Sequence, residues 1–227
     1  MLFRSNALCD LGLFAKAIAS YGRTLALQPS HADAYNNRGL AFHRICEFAN
    51  AIADYQQAFT IDPRHAEALN NLGNTLMEMG QIQNAIINYN KAIQIRGEYA
   101  EAHNNLGIAL LKLKKPERAL ACFVHAISIN EDYAEAFSNR GDALVQIKQF
   151  GEAMESYKRA IDLKPDFHQA HSNLLFCMNF YHPITQSEIL EESRRWNALH
   201  AVSKQQPSIR HSNTRQVDRR QIGRAHV

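Results

Sequence analysis

The sequence contains no run of about 20 apolar residues, so no stretch of it can cross a bilayer as a helix. Its four cysteines, Cys9, Cys46, Cys122 and Cys177, include no C-x-x-C pair and fall at unrelated spacings. That speaks against a zinc site or a disulfide framework and points to a reducing, cytoplasmic setting. There is no glycine-rich phosphate loop, no G-x-S-x-G turn and no pair of carboxylates with a matching base, so no catalytic residue and no cofactor site is expected. No N-terminal signal is expected in this stretch, because Arg4, Asp10 and Lys16 break the apolar run. Charge of one sign is also lacking. Residues 182–227 carry 8 Lys/Arg against 4 Asp/Glu, leaving 17 against 18 for residues 1–181. The first 181 residues are therefore no basic footprint for nucleic acid. The basic tail reads as a solvated linker, with contact to an anionic partner as the alternative.

Glycine and proline are scarce, at 10 and 6 of 227 residues, yet they recur at set places. The period is 34 residues. It shows first in a column of asparagines, Asn37, Asn71, Asn105, Asn139 and Asn173, inside the copies AYNNRG, ALNNLG, AHNNLG, AFSNRG and AHSNLL. A fixed period of this length is the mark of a stacked helix–turn–helix array. With Ala32 counted as position 1, position 8 holds Gly39, Gly73, Gly107 and Gly141, and position 20 holds Ala51, Ala85, Ala119 and Ala153. Position 24 is aromatic (Tyr21, Tyr55, Tyr89, Phe123, Tyr157), and position 32 holds Pro29, Pro63, Gly97, Glu131 and Pro165. Small residues at 8 and 20 suit a close crossing of two helices, the aromatic is expected to fill the gap between layers, and proline ends a helix. Helices A are expected near 32–45, 66–79, 100–113, 134–147 and 168–181, and helices B near 15–28, 49–61, 83–95, 117–129 and 151–163.

These slots resemble the tetratricopeptide repeat over residues 1 to about 181. The resemblance implies an all-α, right-handed superhelix, an α-solenoid of antiparallel helix pairs. It divides the chain into a partial repeat (1–31), four repeats (32–65, 66–99, 100–133, 134–167) and a last helix A with a closing helix (168–204). A linker (205–221) and a tail (222–227) follow. The opening unit is shortened, with Ser5 in the glycine slot, and further repeats are expected upstream. In the last unit Leu175 replaces the glycine. Thr185 and Glu188 have capping-box spacing, and Ile189, Leu190, Trp196, Leu199 and Val202 give an apolar stripe, so a helix over about 186–203 is expected to close the stack.

Residues 171–201 carry a second resemblance. Ser172 to Leu175, Asn179 to Pro183, Ser187 to Ile189, and Arg194 to Trp196 with His200 are similar to the junction that follows the last repeat in family 41 glycosyltransferases, the relatives of protein O-linked N-acetylglucosamine transferase and Spindly-type transferases. Glu192 stands near where that family often has histidine. The tail HSNTRQVDRR (211–220) resembles the lead-in to the first catalytic strand, and IGRAHV (222–227) matches a translated sequencing adapter and is read as foreign. The resemblance implies a catalytic domain downstream that uses a nucleotide sugar, with these repeats as its protein-recognition arm. A stand-alone scaffold without a transferase is the alternative.

The asparagine column has two readings. A primary amide donates and accepts at once, so a row of them on a groove can pair with the N–H and C=O of an extended peptide. In the transferase family such a ladder holds protein substrates, and the resemblance puts Asn37, Asn71, Asn105, Asn139 and Asn173 in that role. The competing reading is that each amide bridges neighbouring helices. Positions 2 (Asp33, Glu67, Glu101, Glu135, Gln169) and 5 (Asn36, Asn70, Asn104, Ser138, Ser172) are expected to flank the groove with acids and amides. That disfavours a cationic clamp for a C-terminal carboxylate. The acids serve either basic or Ser/Thr-rich partners or only a solvated rim. The 11 histidines are spread over different slots, His103 and His171 at a packing position, and no metal site is expected. Lys112, Lys114 and Lys115 read as a solvated turn.

Overall fold

The computed structural model describes residues 2–181 and 183–200, with side chains from Ser5 onward. The expected linker 205–221, the tail 222–227, Val202 and His182 lie outside the described residues. The described residues form twelve α-helices and no strand. The first six are α1 (Leu2–Asp10), α2 (Phe14–Leu27), α3 (Ala32–Arg44), α4 (Phe48–Ile61), α5 (Ala66–Glu78) and α6 (Ile82–Ile95). The others are α7 (Ala100–Lys112), α8 (Pro116–Ile129), α9 (Ala134–Gln146), α10 (Phe150–Leu163), α11 (His168–Phe180) and α12 (Gln186–His200). Odd-numbered helices up to α11 are helices A, and the even-numbered ones up to α10 are helices B. The architecture is an α-solenoid.

Local chemistry sets the helix ends. Position 32, where Pro29, Pro63 and Pro165 stand, falls two residues past the ends of α2, α4 and α10. The turn from helix A to helix B requires a left-handed residue at position 15. Gly12 and Gly80 meet this with φ of 71° and 75°, whereas Cys46, Lys114 and Lys148 adopt φ of 62°, 58° and 64° with a Cβ present. Connections this short make the two helices of a unit antiparallel neighbours.

The glycine at position 8 exists for the ring at position 24 of its own repeat. A Cβ on Gly73, Gly107 or Gly141 would lie 2.5 Å from the ring of Tyr89, Phe123 or Tyr157, and one on Gly39 would lie 2.8 Å from Tyr55. The aromatic therefore sits on its own glycine and shares a core with leucines of the next repeat, and all of these rings are buried. Alanines at positions 20 and 27, Ala51, Ala58, Ala85 and Ala92 among them, have no exposed surface. The main core joins Tyr55, Leu76, Tyr89, Leu106, Leu110, Phe123 and Ala143 across four repeats. A second core, around Leu144, Tyr157, Leu174 and Cys177, holds the C-terminal end, and a smaller one around Tyr21 and Leu25 holds the N-terminal end.

Each helix A touches the helix A of the next repeat, whereas helices B touch no other helix B among the described residues. The A layer is thus the inner, crowded side of the stack, and the B helices splay on the outside.

Helix α12 packs on α11. Its capping box forms as expected: Thr185 N–H donates to Glu188 Oε2 at 2.7 Å, and Glu188 N–H donates to Thr185 Oγ1 at 3.3 Å. The expected apolar stripe closes the stack only partly. Ile189 packs against the second core, but Leu190 and Leu199 are exposed and no residue of α12 is fully buried.

Candidate functional site

Positions 2, 6, 9 and 13 of a helix A are spaced i, i+4, i+7 and i+11, which places them in one stripe. On α5 the stripe is Glu67, Asn71, Asn74, Glu78, and on α7 it is Glu101, Asn105, Ile108, Lys112. None of these eight side chains is fully buried, in contrast to Ala66, Ala68, Leu72, Ala102, Leu106 and Ala109 that flank them in sequence. A cavity of about 460 Å³ opens on this face, lined from three successive helices A by Leu40 and Arg44, Asn71, Asn74 and Glu78, and Asn105. A neighbouring cavity of about 240 Å³ shares Leu40 and Arg44 and adds Cys9 and Asp10. The structure thus brings Asn71 and Asn105 to one opening. Asn37, Asn139 and Asn173 repeat the placement on α3, α9 and α11, and all five asparagines are half-buried.

The amides are not idle. Nδ2 of Asn71, Asn105 and Asn139 donates to Oδ1 of Asn36, Asn70 and Asn104 in the preceding helix A, at 3.0, 3.0 and 2.8 Å. At position 5 Asn36, Asn70 and Asn104 are therefore buried struts between layers and Ser138 is buried as well, which corrects their expected place on the groove wall, whereas Ser172 is exposed. A second set of bridges runs to position 9. Nδ2 of Asn37, Asn105 and Asn173 donates to Oδ1 of Asn6, Asn74 and Asp142, at 3.4, 3.1 and 2.9 Å. The same three oxygens accept the hydroxyls of Tyr21, Tyr89 and Tyr157, at 2.6, 2.8 and 2.7 Å. Bridging and ligand binding therefore compete for the same polar atoms.

What each amide has left differs. Oδ1 of Asn37 accepts from Asn36 and that of Asn173 from Gln169, and Asn105 spends both N–H groups on bridges. Asn71 and Asn139 each spend one N–H, and their Oδ1 atoms have no partner among the described residues. They alone of the five keep a spare N–H together with an Oδ1 that accepts nothing among the described residues.

The acids at position 2 are partly tied into a rim. Glu67 pairs with Arg96, Glu135 Oε1 lies 3.0 Å from Lys164 Nζ, and Asp33 Oδ1 lies 3.3 Å from His65 Nε2. Burial alone would raise the Glu67 and Glu135 carboxyls, but the hydrogen bonds and charge of Arg96 and Lys164 hold both below the usual carboxylate range. Burial pushes Asp142 above that range, against the hydrogen bonds from Tyr157 and Asn173.

Two groups of residues lie beyond what the 34-residue comparison shows. Position 9, the hub of the tyrosine–asparagine bridges, alternates in polarity and so has no consensus at that period. His171, expected as packing, is fully buried beneath α12, where Nε2 lies 2.6 Å from Glu192 Oε1 and Nδ1 lies 3.3 Å from His200 Nε2. Among the described residues no group of three or more His, Cys, Asp or Glu side chains is placed to hold a metal, and no helix is long and apolar enough to cross a membrane.

A family model described as "TPR repeat" matches residues 6–45, 73–114 and 141–174. Two more, each described as "Tetratricopeptide repeat", match residues 32–65 and 100–133, and residues 54–87. Among solved structures the chain is similar to YrrB, described as a TPR protein with an unusual peptide-binding site, at 22% identity and a TM-score of 0.63, covering 80% of this chain and 92% of that one. It is also similar to PilF of Pseudomonas aeruginosa, at 20% identity and a TM-score of 0.77 over 88% of this chain and 90% of that one. MamA matches at 24% identity and a TM-score of 0.66 over 73% and 95%. At such identities the likeness is one of fold. No curated protein matches the chain. None of these comparisons shows a glycosyltransferase junction.

Proposed function

Because this chain belongs to the tetratricopeptide-repeat family, we propose that it is a protein-binding module whose inner stripe holds an extended peptide segment of a partner protein. The observation that carries this reading is the open amide at Asn71 and Asn139: each keeps an N–H and an Oδ1 on the accessible face of the A layer, and Asn71 lines the cavity of about 460 Å³. One such amide can receive a backbone N–H and donate to a backbone C=O together. Asn37, Asn105 and Asn173 complete the row, chiefly as struts. Similarity to YrrB, itself described as peptide-binding, supports the reading. Replacing Asn71, Asn105 and Asn139 together by alanine tests it. Titrations of labelled extended peptides are expected to show affinity lost by about fivefold per open amide, with helicity by circular dichroism retained. Unchanged affinity, or collapse of the helical signal, counts against it.

The finer reading is that the module is the substrate-recognition arm of a protein O-GlcNAc transferase-like glycosyltransferase, with a nucleotide sugar bound only by a downstream domain. Its support is the sequence resemblance of residues 171–201. Sequencing the intact gene past residue 221 decides it: a nucleotide-sugar-binding α/β domain agrees, and a native stop codon there ends the idea.

A further inference from the structure

Three properties of the inner stripe repeat every 68 residues rather than every 34. Position 9 alternates: Asn6, Asn74 and Asp142 are polar, and between them stand Leu40, Ile108 and Phe176. The polar members are consumed by a tyrosine hydroxyl and the next asparagine, while Leu40 and Phe176 are exposed and Ile108 is half-buried. Amide capacity alternates in step. The two open amides, Asn71 and Asn139, are the ones whose preceding helix carries Leu40 or Ile108 and so offers position 6 no acceptor at position 9. Charge at position 13 alternates as well: Asp10 and Glu78 stand one turn beyond the polar hubs, and Arg44 and Lys112 one turn beyond Leu40 and Ile108. All four are exposed. Arg44 and Glu78 line the larger cavity, and Arg44 and Asp10 the smaller. Glu78 also lies 3.1 Å from His43 Nε2, and beyond Lys112 the sign pattern ends at Gln146.

We infer that the groove is read in double steps. It takes an extended segment in which an apolar residue with an acidic neighbour recurs about every six residues, with a basic residue midway. This rests on the peptide-groove reading above. The spacing follows from geometry. Packed helices stand about 8–10 Å apart, so two repeats span about 16–20 Å, and an extended chain rises about 3.3 Å per residue. The apolar residue meets Leu40 or Ile108, the backbone beside it meets the open amide of Asn71 or Asn139, the acid meets Arg44 or Lys112, and the base meets Glu78.

The test is fluorescence anisotropy on the full chain at about 0.15 M salt, where exposed pairs beyond about 8 Å are screened. The peptide LDSTKSLDSTKS is compared with its charge-exchanged isomer LKSTDSLKSTDS and with the block-shuffled LLDDSSTTKKSS. The first is expected to bind about tenfold more tightly than either, the sum of two or three rim pairs of ordinary strength. Arg44→Glu with Lys112→Glu is expected to reverse the order of the first two. Equal binding of all three peptides overturns the double-step reading and leaves the peptide groove standing. A preference that survives the double substitution also overturns it. Binding of none of the three overturns the groove reading with it.

Discussion

Gly107 and Gly97 differ in what surrounds them. A Cβ on Gly107 would meet the Phe123 ring at 2.5 Å, and one on Gly97 would meet nothing within 4 Å. Gly107→Ala is expected to lower stability by about 1–3 kcal/mol through overpacking, despite alanine's higher helix propensity. Gly97→Ala is expected to be neutral or to stabilise by up to about 1 kcal/mol, because only the unfolded chain loses freedom. Urea midpoints check both. Asp142 offers a second comparison. It occupies the hub that asparagine fills at residues 6 and 74, and only its Oδ1 takes the Tyr157 and Asn173 bonds. Asp142→Asn keeps that acceptor and removes a charge that burial disfavours, so it is expected to raise stability by about 1 kcal/mol at neutral pH in the same assay. These hubs also show the limit of a period count. Glycine and the aromatic were legible because every repeat needs them. Position 9 was not, because Leu40 and Ile108 interrupt it. Tyr55 carries the cost of that interruption: its partner slot is Leu40, and its buried hydroxyl has no hydrogen bond among the described residues.

At the scale of the element, the helices were legible to within a residue or so, since a helix boundary is written in proline, turn residues and capping spacing. The left-handed turn residue was written only where it is glycine. Lys114→Gly is expected to stabilise by about 1 kcal/mol by relieving a left-handed Cβ, measurable as a shift in thermal midpoint. Helix α12 was legible as a helix but not in its packing, because its seam is polar. His171 is covered by Glu192, His200 and the Trp196–His200 stack, with His168 and Arg195 at the edge. Burial is the largest influence on His171; with His200 and Arg195 it outweighs Glu192 and holds the imidazole below its ordinary pKa. Above about pH 6.5 folded and unfolded chains both carry a neutral ring. As pH falls below that value the unfolded chain takes up the proton first, and stability at this end is lost until the lowered folded pKa is passed. The single tryptophan, Trp196, reports on the event. Its emission is expected to shift as pH drops below about 6.5, and His171→Gln is expected to abolish the shift.

Across the whole molecule, stability is a sum over neighbours. The central core runs through four repeats, from Ala51 to Ala143, while the N-terminal one rests on Ala17, Tyr21, Leu25 and Ala34. Amide hydrogen exchange is therefore expected to be slowest in α5 to α8 and fastest at the two ends, in α1 and α12, and uniform protection along the chain would contradict this. The solenoid itself was legible from its period. The inner layer was not, because which helix faces inward depends on how successive pairs stack. The struts at position 6 tie that layer together: one side-chain bond, or two at Asn105, stitches each helix A to the one before. A coil stitched along its inner edge is a spring whose seam carries the load when its ends are pulled. A ligand laid across the seam would stiffen the spring, and by reciprocity tension on the chain would loosen the ligand.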